Sequence, residues 1–213
     1  MPRATTVSID LGAISNNIAV LKTSLGATRF MGVVKADAYG HGAVPVAQHI
    51  EGSVDAFAVA FTEEALALRA AGIGKPILIL EGPHSAEDVA LAAEENLWLA
   101  LHEHSQVDWC LPRGDALPHL WIKIDTGMHR LGFPAEQLST VRRSLENAGC
   151  ARLTLMSHLA SAELPESPLS KRQLDRWHEI VSDWPYEMSL SNSAASRLGL
   201  AAKDTWGRLG YAM

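Results

Sequence analysis

Several reactive side chains in this sequence directly follow short apolar runs of the kind that form buried strands. Lys35 comes after the run Phe30–Val34 in VVKADAYGHG, and His158 comes after Leu153–Met156 in MSHLASAE. A lysine at the end of a buried strand is costly unless it is paired or functional. Because desolvation lowers the pKa of an amine, such a lysine suits a Schiff base or a general base. A lysine that snorkels to solvent is the structural alternative.

Polar residues take the same kind of position after later runs. These are Arg130 in DTGMHRLG and Asn192 and Ser193 in SLSNSAAS, while Arg208 and Gly210 begin the eighth run, in WGRLGYAM. Each alone has an ordinary explanation, such as a turn, a salt bridge at the rim or, for His158, a hydrogen-bonded core histidine. Their shared placement at strand ends instead predicts one common site.

Small loops near these positions are suited to a phosphate. Tyr39 lies in YGHG, where glycines let a ligand approach the backbone and the tyrosine supplies a phenol. The pairs Asn192-Ser193 and Gly210-Tyr211 resemble a phosphate cradle, with a hydroxyl, backbone N–H groups and a glycine near the start of a helix.

A second lysine is predicted to face the interior. Trp121, Lys123 and Asp125 share one face of the fifth run, and aliphatic residues form the other. Helices that pack on the sheet require its aliphatic face. We therefore expect Lys123 to lie on the opposite face, which is the lumen if the sheet forms a barrel. A buried lysine needs a counter-charge or a modification that removes its charge. The sequence leaves both open.

The elements that must position these residues alternate along the chain. A helical pattern comes first, with Ile14, Ile18 and Leu21 on one face and Asp10 or Ser15 as its cap. Eight strand-like runs follow: Phe30–Val34, Ala56–Phe61, Pro76–Leu80, Leu97–Leu101, Leu120–Ile124, Leu153–Met156, Met188–Leu190 and Leu209–Met213.

Strands that alternate with helices predict an α/β fold with a parallel sheet. Eight of them favour a (β/α)8 TIM-type barrel, and an open doubly wound sheet is the alternative. The eighth run has no helix after it, so whether the barrel is complete at its C-terminal end stays open. The helix before the first strand is one candidate for the vacant position, and a shortened barrel is the other.

Composition narrows the class of protein. The 213 residues have a net charge of -6, which argues against nucleic acid or an anionic membrane as a partner bound by charge. Cys110 and Cys150 are too few for a disulfide framework or a zinc site, so no metal is expected. With no apolar signal segment or membrane span, the sequence predicts a cytoplasmic protein.

The motifs VVKADAYGHG, DTGMHRLGF, SHLASAE, SNSAAS and WGR-x-G, in this order, resemble the alanine racemase family of fold-type III pyridoxal-phosphate enzymes. The likeness covers residues 1–213, as one N-terminal barrel domain. It implies pyridoxal 5'-phosphate as cofactor, alanine as substrate, D-alanine for peptidoglycan as product and a homodimer.

The resemblance also implies a role for each matching residue. Lys35 matches the lysine that forms the internal aldimine and acts as one catalytic base. Arg130 matches the arginine near the cofactor's phenolic oxygen and the substrate carboxylate. Lys123 matches a lysine that is carbamylated in some members. The remaining cofactor contacts carry over to Tyr39, Asn192, Ser193, Gly210 and Tyr211 around the phosphate, Arg208 at the pyridine nitrogen and His158 beside the ring.

Two departures from the family pattern lead to functional hypotheses other than an active alanine racemase. The family's C-terminal β domain, which carries the opposing tyrosine base, has no counterpart here, and neither Tyr186 nor Tyr211 lies in such a motif. Leucine also stands where the family has proline, at Leu209. Loss of a general acid–base group typically costs 10²–10⁴-fold in rate. The alternatives to an active racemase are therefore a single-domain pyridoxal-phosphate-binding protein without turnover and an inactive truncated racemase. A racemase that acts on serine or another amino acid is a further functional hypothesis.

Overall fold

The computed structural model describes residues 5–200 and 203–213. Within them lie eight strands: β1 Arg29–Val33, β2 Ala56–Val59, β3 Ile77–Ile79, β4 Leu97–Leu101, β5 Leu120–Lys123, β6 Leu153–Met156, β7 Glu187–Ser189 and β8 Trp206–Leu209. The helices are α1 Leu11–Leu25, α2 Lys35–Gly40, α3 Ala43–Ile50, α4 Thr62–Ala70, α5 Ala86–Glu94, α6 His104–Cys110, α7 Leu138–Asn147, α8 Pro168–Val181 and α9 Ser193–Leu198. Short 3₁₀ helices cover Glu51–Ser53, Leu111–Ala116 and Ala135–Gln137. In these described segments, every helix is too short or too polar to cross a bilayer.

The strands form one parallel sheet that curls into a barrel. Each strand pairs with its neighbours in chain order, and β1 pairs with β8. The remaining seam, between β7 and β8, is bridged by backbone hydrogen bonds from the Thr205 N–H to Met188 O at 2.9 Å and from the Arg208 N–H to Ser191 O at 3.0 Å. This confirms the predicted (β/α)8 barrel and excludes the open doubly wound sheet.

Two apolar layers hold the barrel. The outer layer packs strand residues such as Leu120 and Ile122 against the helices. A separate inner cluster fills the lumen with Met31, Val33, Ala56, Ala58, Leu78, Trp98, Ala100, Trp121, Met156 and Trp206. Trp121 belongs to the inner cluster and the aliphatic face of β5 to the outer one. The predicted orientation of β5, with Lys123 toward the lumen, is therefore confirmed.

Helix α1 precedes β1 and packs on the outside of the barrel. Its cap is Asp10, whose Oδ1 accepts the N–H of Ala13 at 3.0 Å, whereas the Ser15 hydroxyl contacts His49 at 2.8 Å. The helix packs against α9 on one side and α3 on the other. The helix before the first strand therefore takes the outer position predicted for it, between α9 and α3.

The eighth strand was predicted too late in the sequence. It spans Trp206–Leu209 rather than Leu209–Met213. Arg208 therefore lies inside the strand, whereas Gly210 comes directly after it. The pattern was weak because a buried arginine interrupts the apolar alternation. Trp206 and Arg208, two residues apart, both point into the lumen.

Candidate active site

A cavity of about 360 Å³ opens at the carboxyl ends of the strands. The sequence predicted that polar residues from distant segments would meet at this end of the barrel, and they do. The cavity is lined by every predicted site residue: Lys35, Tyr39, Lys123, Arg130, His158, Asn192, Ser193, Arg208, Gly210 and Tyr211.

Lys35 stands at the start of an unusual backbone turn. The four residues after it, Ala36–Tyr39, all have φ between 51° and 56°, which makes α2 a left-handed turn. Left-handed geometry costs roughly 1–2 kcal/mol per L-residue, so the turn needs outside support. Glu64 gives that support: its carboxylate accepts the N–H groups of Ala36 at 2.7 Å and of Ala60 at 2.6 Å.

A tight cradle forms where Tyr39 meets the end of β8. The Gly210 N–H donates to the Ser193 hydroxyl at 3.4 Å. A Cβ at position 210 would lie 2.6 Å from the Tyr39 hydroxyl and 2.9 Å from Val33 Cβ, so only glycine fits there. Partial burial raises the pKa of the Tyr39 phenol, which keeps it a hydrogen-bond donor. The cradle thus offers hydroxyl and N–H donors within a small space.

Asn192 supports this cradle through its side chain. Its Oδ1 caps α9 by accepting the N–H of Ala195 at 3.0 Å, and its Nδ2 donates to the carbonyl of Leu159 at 3.3 Å. The amide therefore ties the Ser193 segment to the loop that follows β6. Tyr211, by contrast, is 90% exposed at the mouth of the cavity.

Arg208 is the most constrained cation of the site. Its guanidinium donates to the carbonyls of Ser157 at 2.6 Å and Ser189 at 2.9 Å. Burial lowers the pKa of Arg208 to about 10, while the buried Asp204 carboxylate acts in the opposite direction. The arginine therefore remains charged near neutral pH and is fixed in orientation.

His158 is held beside this arginine as a neutral ring. Nη2 of Arg208 lies 3.5 Å from its Nδ1. Burial lowers the pKa of His158 to about 3, and the charges of Arg208 and Arg130 add to this effect. Because a guanidinium can only donate, Nδ1 is the acceptor and the ring proton lies on Nε2.

Lys123 is a buried amine without a close counter-ion. Burial lowers its pKa to about 8, and the charge of Glu81 only partly opposes this. No salt bridge to Lys123 forms within the described segments. Since about a tenth of such an amine is unprotonated at pH 7, it is open to modification.

Two carboxylates at the cavity were not predicted. Glu81 and Glu163 both line it, against the four cations Lys35, Lys123, Arg130 and Arg208. Glu81 lies two residues after the end of β3 and directly after the predicted run Pro76–Leu80, so the rule that identified Lys35 and His158 could have found it. The excess of positive charge favours an anionic ligand.

Comparisons with known proteins show which family this chain belongs to. Residues 9–213 match the family model described as "Alanine racemase, N-terminal domain". The chain belongs to the alanine racemase family. The alanine racemase of Halorhodospira halophila is 38% identical over 99% of this chain, which spans 58% of that relative's length.

Solved structures of the family agree with the barrel. The biosynthetic alanine racemase of Pseudomonas aeruginosa superposes with a TM-score of 0.89 at 38% identity, over 95% of this chain and 57% of that one. A histidine racemase from Leuconostoc mesenteroides superposes with a TM-score of 0.84 at 25% identity, over 96% and 57%. Proteins similar to this chain therefore include racemases for more than one amino acid.

The alanine racemase family depends on pyridoxal phosphate, and the residues of this cavity fit that group. The cofactor needs an amine for its carbonyl carbon and donors for its phosphate. Lys35 would supply the amine, and Ser193 and the Gly210 N–H would supply donors in a cradle too tight for a Cβ at Gly210. The positive charge of the cavity suits the phosphate as well.

Proposed function

We propose that this chain is the cofactor-binding barrel of an alanine racemase, which interconverts L-alanine and D-alanine and supplies D-alanine for peptidoglycan. The observation that carries the proposal is the meeting of Lys35, Arg208 and the Ser193–Gly210 cradle in one positively charged cavity. Family membership supports the same reaction. The activity of the whole enzyme is part of the proposal because this chain spans 58% of the Halorhodospira halophila relative.

Each cavity residue has an assigned task. Lys35 would hold pyridoxal phosphate covalently, and Tyr39, Ser193, Gly210 and Tyr211 would hold its phosphate. Asn192 keeps the Ser193 segment in place through the α9 cap. When bound, the cofactor lowers the barrier to removing the substrate Cα proton by spreading the negative charge that forms.

The chain's own groups then handle charge and protons. The free Lys35 amine moves the Cα proton on one face of the substrate. Arg130 binds the substrate carboxylate, a task suited to a guanidinium. Arg208 would hold the pyridine nitrogen of the cofactor and keep its own proton, because its pKa of about 10 lies well above that of a pyridine-like nitrogen. His158, whose ring is neutral, would line the space for the cofactor ring without adding a further positive charge.

Racemisation also requires an acid–base group on the opposite face. Of the three tyrosines, Tyr39 and Tyr211 line the cavity, whereas Tyr186 hydrogen-bonds Glu146 at 2.6 Å, near the opposite end of the barrel. Neither cavity tyrosine matches the family's second base. This observation favours a second candidate function for the chain alone, which is binding of pyridoxal phosphate without turnover.

The proposal includes self-association and a cytoplasmic location. The exposed apolar side chains of Tyr39, Phe61, Leu164 and Tyr211 follow strands and so lie around the cavity end of the barrel. Exposed apolar side chains grouped in this way are typical of a surface that contacts another protein, which supports a homodimer. The free, buried thiols of Cys110 and Cys150 favour a reducing compartment.

The test is to add pyridoxal phosphate to the purified chain, record the visible spectrum, then supply L-alanine and assay D-alanine. A lysine-bound cofactor band that is lost in Lys35→Ala but kept in Lys22→Ala supports the cofactor site. Turnover in the same tube supports the racemase, and a band without turnover supports the binding protein. A band that survives Lys35→Ala contradicts both.

A further inference from the structure

Arg130 reaches the cavity without any side-chain anchor. It lines the cavity beside Lys123 and His158, yet it makes no salt bridge or side-chain hydrogen bond to residues 5–200 or 203–213. Arg208, in contrast, is fixed by two serine carbonyls. The position of Arg130 must therefore come from the backbone that carries it.

That backbone is a loop closed at its base. After β5, the Asp125 N–H donates to Phe133 O at 3.0 Å, and the Phe133 N–H donates to Lys123 O at 2.8 Å. The two ends approach so closely that a Cβ on Gly132 would lie 2.6 Å from the Asp125 nitrogen. Residues 125–133 thus leave the barrel and return to it at one point.

The interior of the loop is organised by a single carboxylate. Asp125 Oδ1 accepts the N–H groups of Gly127 at 2.8 Å, Met128 at 3.0 Å and His129 at 3.1 Å. Its Oδ2 lies 3.0 Å from Nδ1 of His129, the residue directly before Arg130. His129 itself has a φ of 56°, a left-handed conformation that costs free energy unless its surroundings hold it.

We propose that Asp125 is the positioning residue of Arg130: by gathering three backbone N–H groups and the His129 ring, its carboxylate fixes the loop that directs the guanidinium into the cavity. One further observation agrees. Although burial acts to raise it, the pKa of Asp125 is held below its ordinary value by the N–H groups of Gly127 and His129 and by the His129 ring.

Substitution of Asp125 separates its two sets of contacts. In Asp125→Asn the remaining oxygen still accepts backbone N–H groups, but the amide nitrogen cannot accept from His129. In Asp125→Ala every contact is lost. The matched control is Asp175→Asn, which removes an exposed carboxylate on α8. Arg130→Gln defines the effect of losing the cation itself.

The first measurement uses the chain without cofactor. The pKa of Lys123, followed by NMR, should rise by about one pH unit in Arg130→Gln. Asp125→Ala should reproduce most of this rise, Asp125→Asn a smaller part, and Asp175→Asn none. The crystal structure of Asp125→Ala should show the Arg130 side chain displaced from the cavity. A folded Asp125→Ala protein with Arg130 still in place overturns the proposal.

The second measurement rests on the proposed function. In the cofactor-loaded enzyme, Asp125→Ala should raise KM for alanine by about tenfold or more, with a smaller change in kcat, and should resemble Arg130→Gln in this split. If the enzyme shows no racemase activity while the pKa and crystallographic results hold, the proposed function fails and the positioning role stands.

Discussion

The carboxylate of Glu64 accepts the backbone N–H of Ala36 at 2.7 Å, directly after the lysine that the cofactor would occupy. Glu64 also takes the N–H groups of Ala60 and Phe61, so one side chain joins the end of β2 to the left-handed turn. Glu64→Gln keeps one acceptor oxygen and loses the charge. We expect it to lower the affinity for pyridoxal phosphate by about tenfold, measured by visible titration.

The control for this prediction is Glu63→Gln, the neighbouring carboxylate in the first turn of α4. It should leave the affinity unchanged. Equal losses in the two variants would show that the effect arises from general charge and not from support of the turn.

The cradle at Gly210 predicts a steric effect on the cofactor. Gly210→Ala places a methyl group 2.6 Å from the Tyr39 hydroxyl. Because Tyr39 must move, affinity for pyridoxal phosphate should fall by about tenfold or more while the barrel stays folded. Gly52→Ala is the control, since a Cβ there meets nothing within 4 Å. Unchanged affinity in Gly210→Ala would contradict the assignment of the cradle to the phosphate.

The buried charge of Arg208 predicts a loss of stability when the buried Asp204 carboxylate, which opposes it electrostatically, is neutralised. Asp204 is buried and also accepts the N–H groups of Leu190 and Ser191 at 2.7 and 2.6 Å. Asp204→Asn should lower the free energy of unfolding by about 2–4 kcal/mol, as urea titration would measure. The exposed Asp183→Asn should be neutral, and a neutral Asp204→Asn would mean that the serine carbonyls alone suffice for Arg208.

Lys123 predicts a dependence of stability on pH. Its pKa falls from 10.5 in the unfolded chain to about 8 in the folded one, so between pH 8 and 10.5 the unfolded state binds more protons. The contribution of Lys123 to stability therefore rises with pH across this window, by about 3 kcal/mol. Urea unfolding of the wild type and of Lys123→Met in bicarbonate-free buffer should differ by this rise, and parallel curves would refute it.

The same amine predicts a modification. An unprotonated Lys123 attacks carbon dioxide through its nitrogen and releases one proton, which leaves a carbamate with a negative charge among three cations. Crystals grown with bicarbonate should show added density on Lys123 and none on the exposed Lys171. If added density on Lys123 is consistently absent, Glu81 remains the electrostatic partner of this amine.

The sequence predicted the strand-end residues well because chain order alone places them at one end of a parallel barrel. Lys35 and His158 needed only a run of buried strand before them. The left-handed turn was not predictable, since Ala36, Ala38 and their neighbours include no glycine until Gly40. Glu64 and Asp204 were missed because their importance lies in backbone groups that come from other segments.

The pairing of β1 with β8 also governs how the protein folds. Thr28 Oγ1 donates to Asp204 O across 176 positions of sequence, and the ladder beside it joins the first strand to the last. Contacts between residues this far apart in the sequence form late in folding, because the chain must first lose the entropy of closing the long loop between them. Arg208 and Gly210 arrive on that last strand, so intermediates without it lack the cofactor site, and capture of pyridoxal phosphate during refolding would report completion of the barrel.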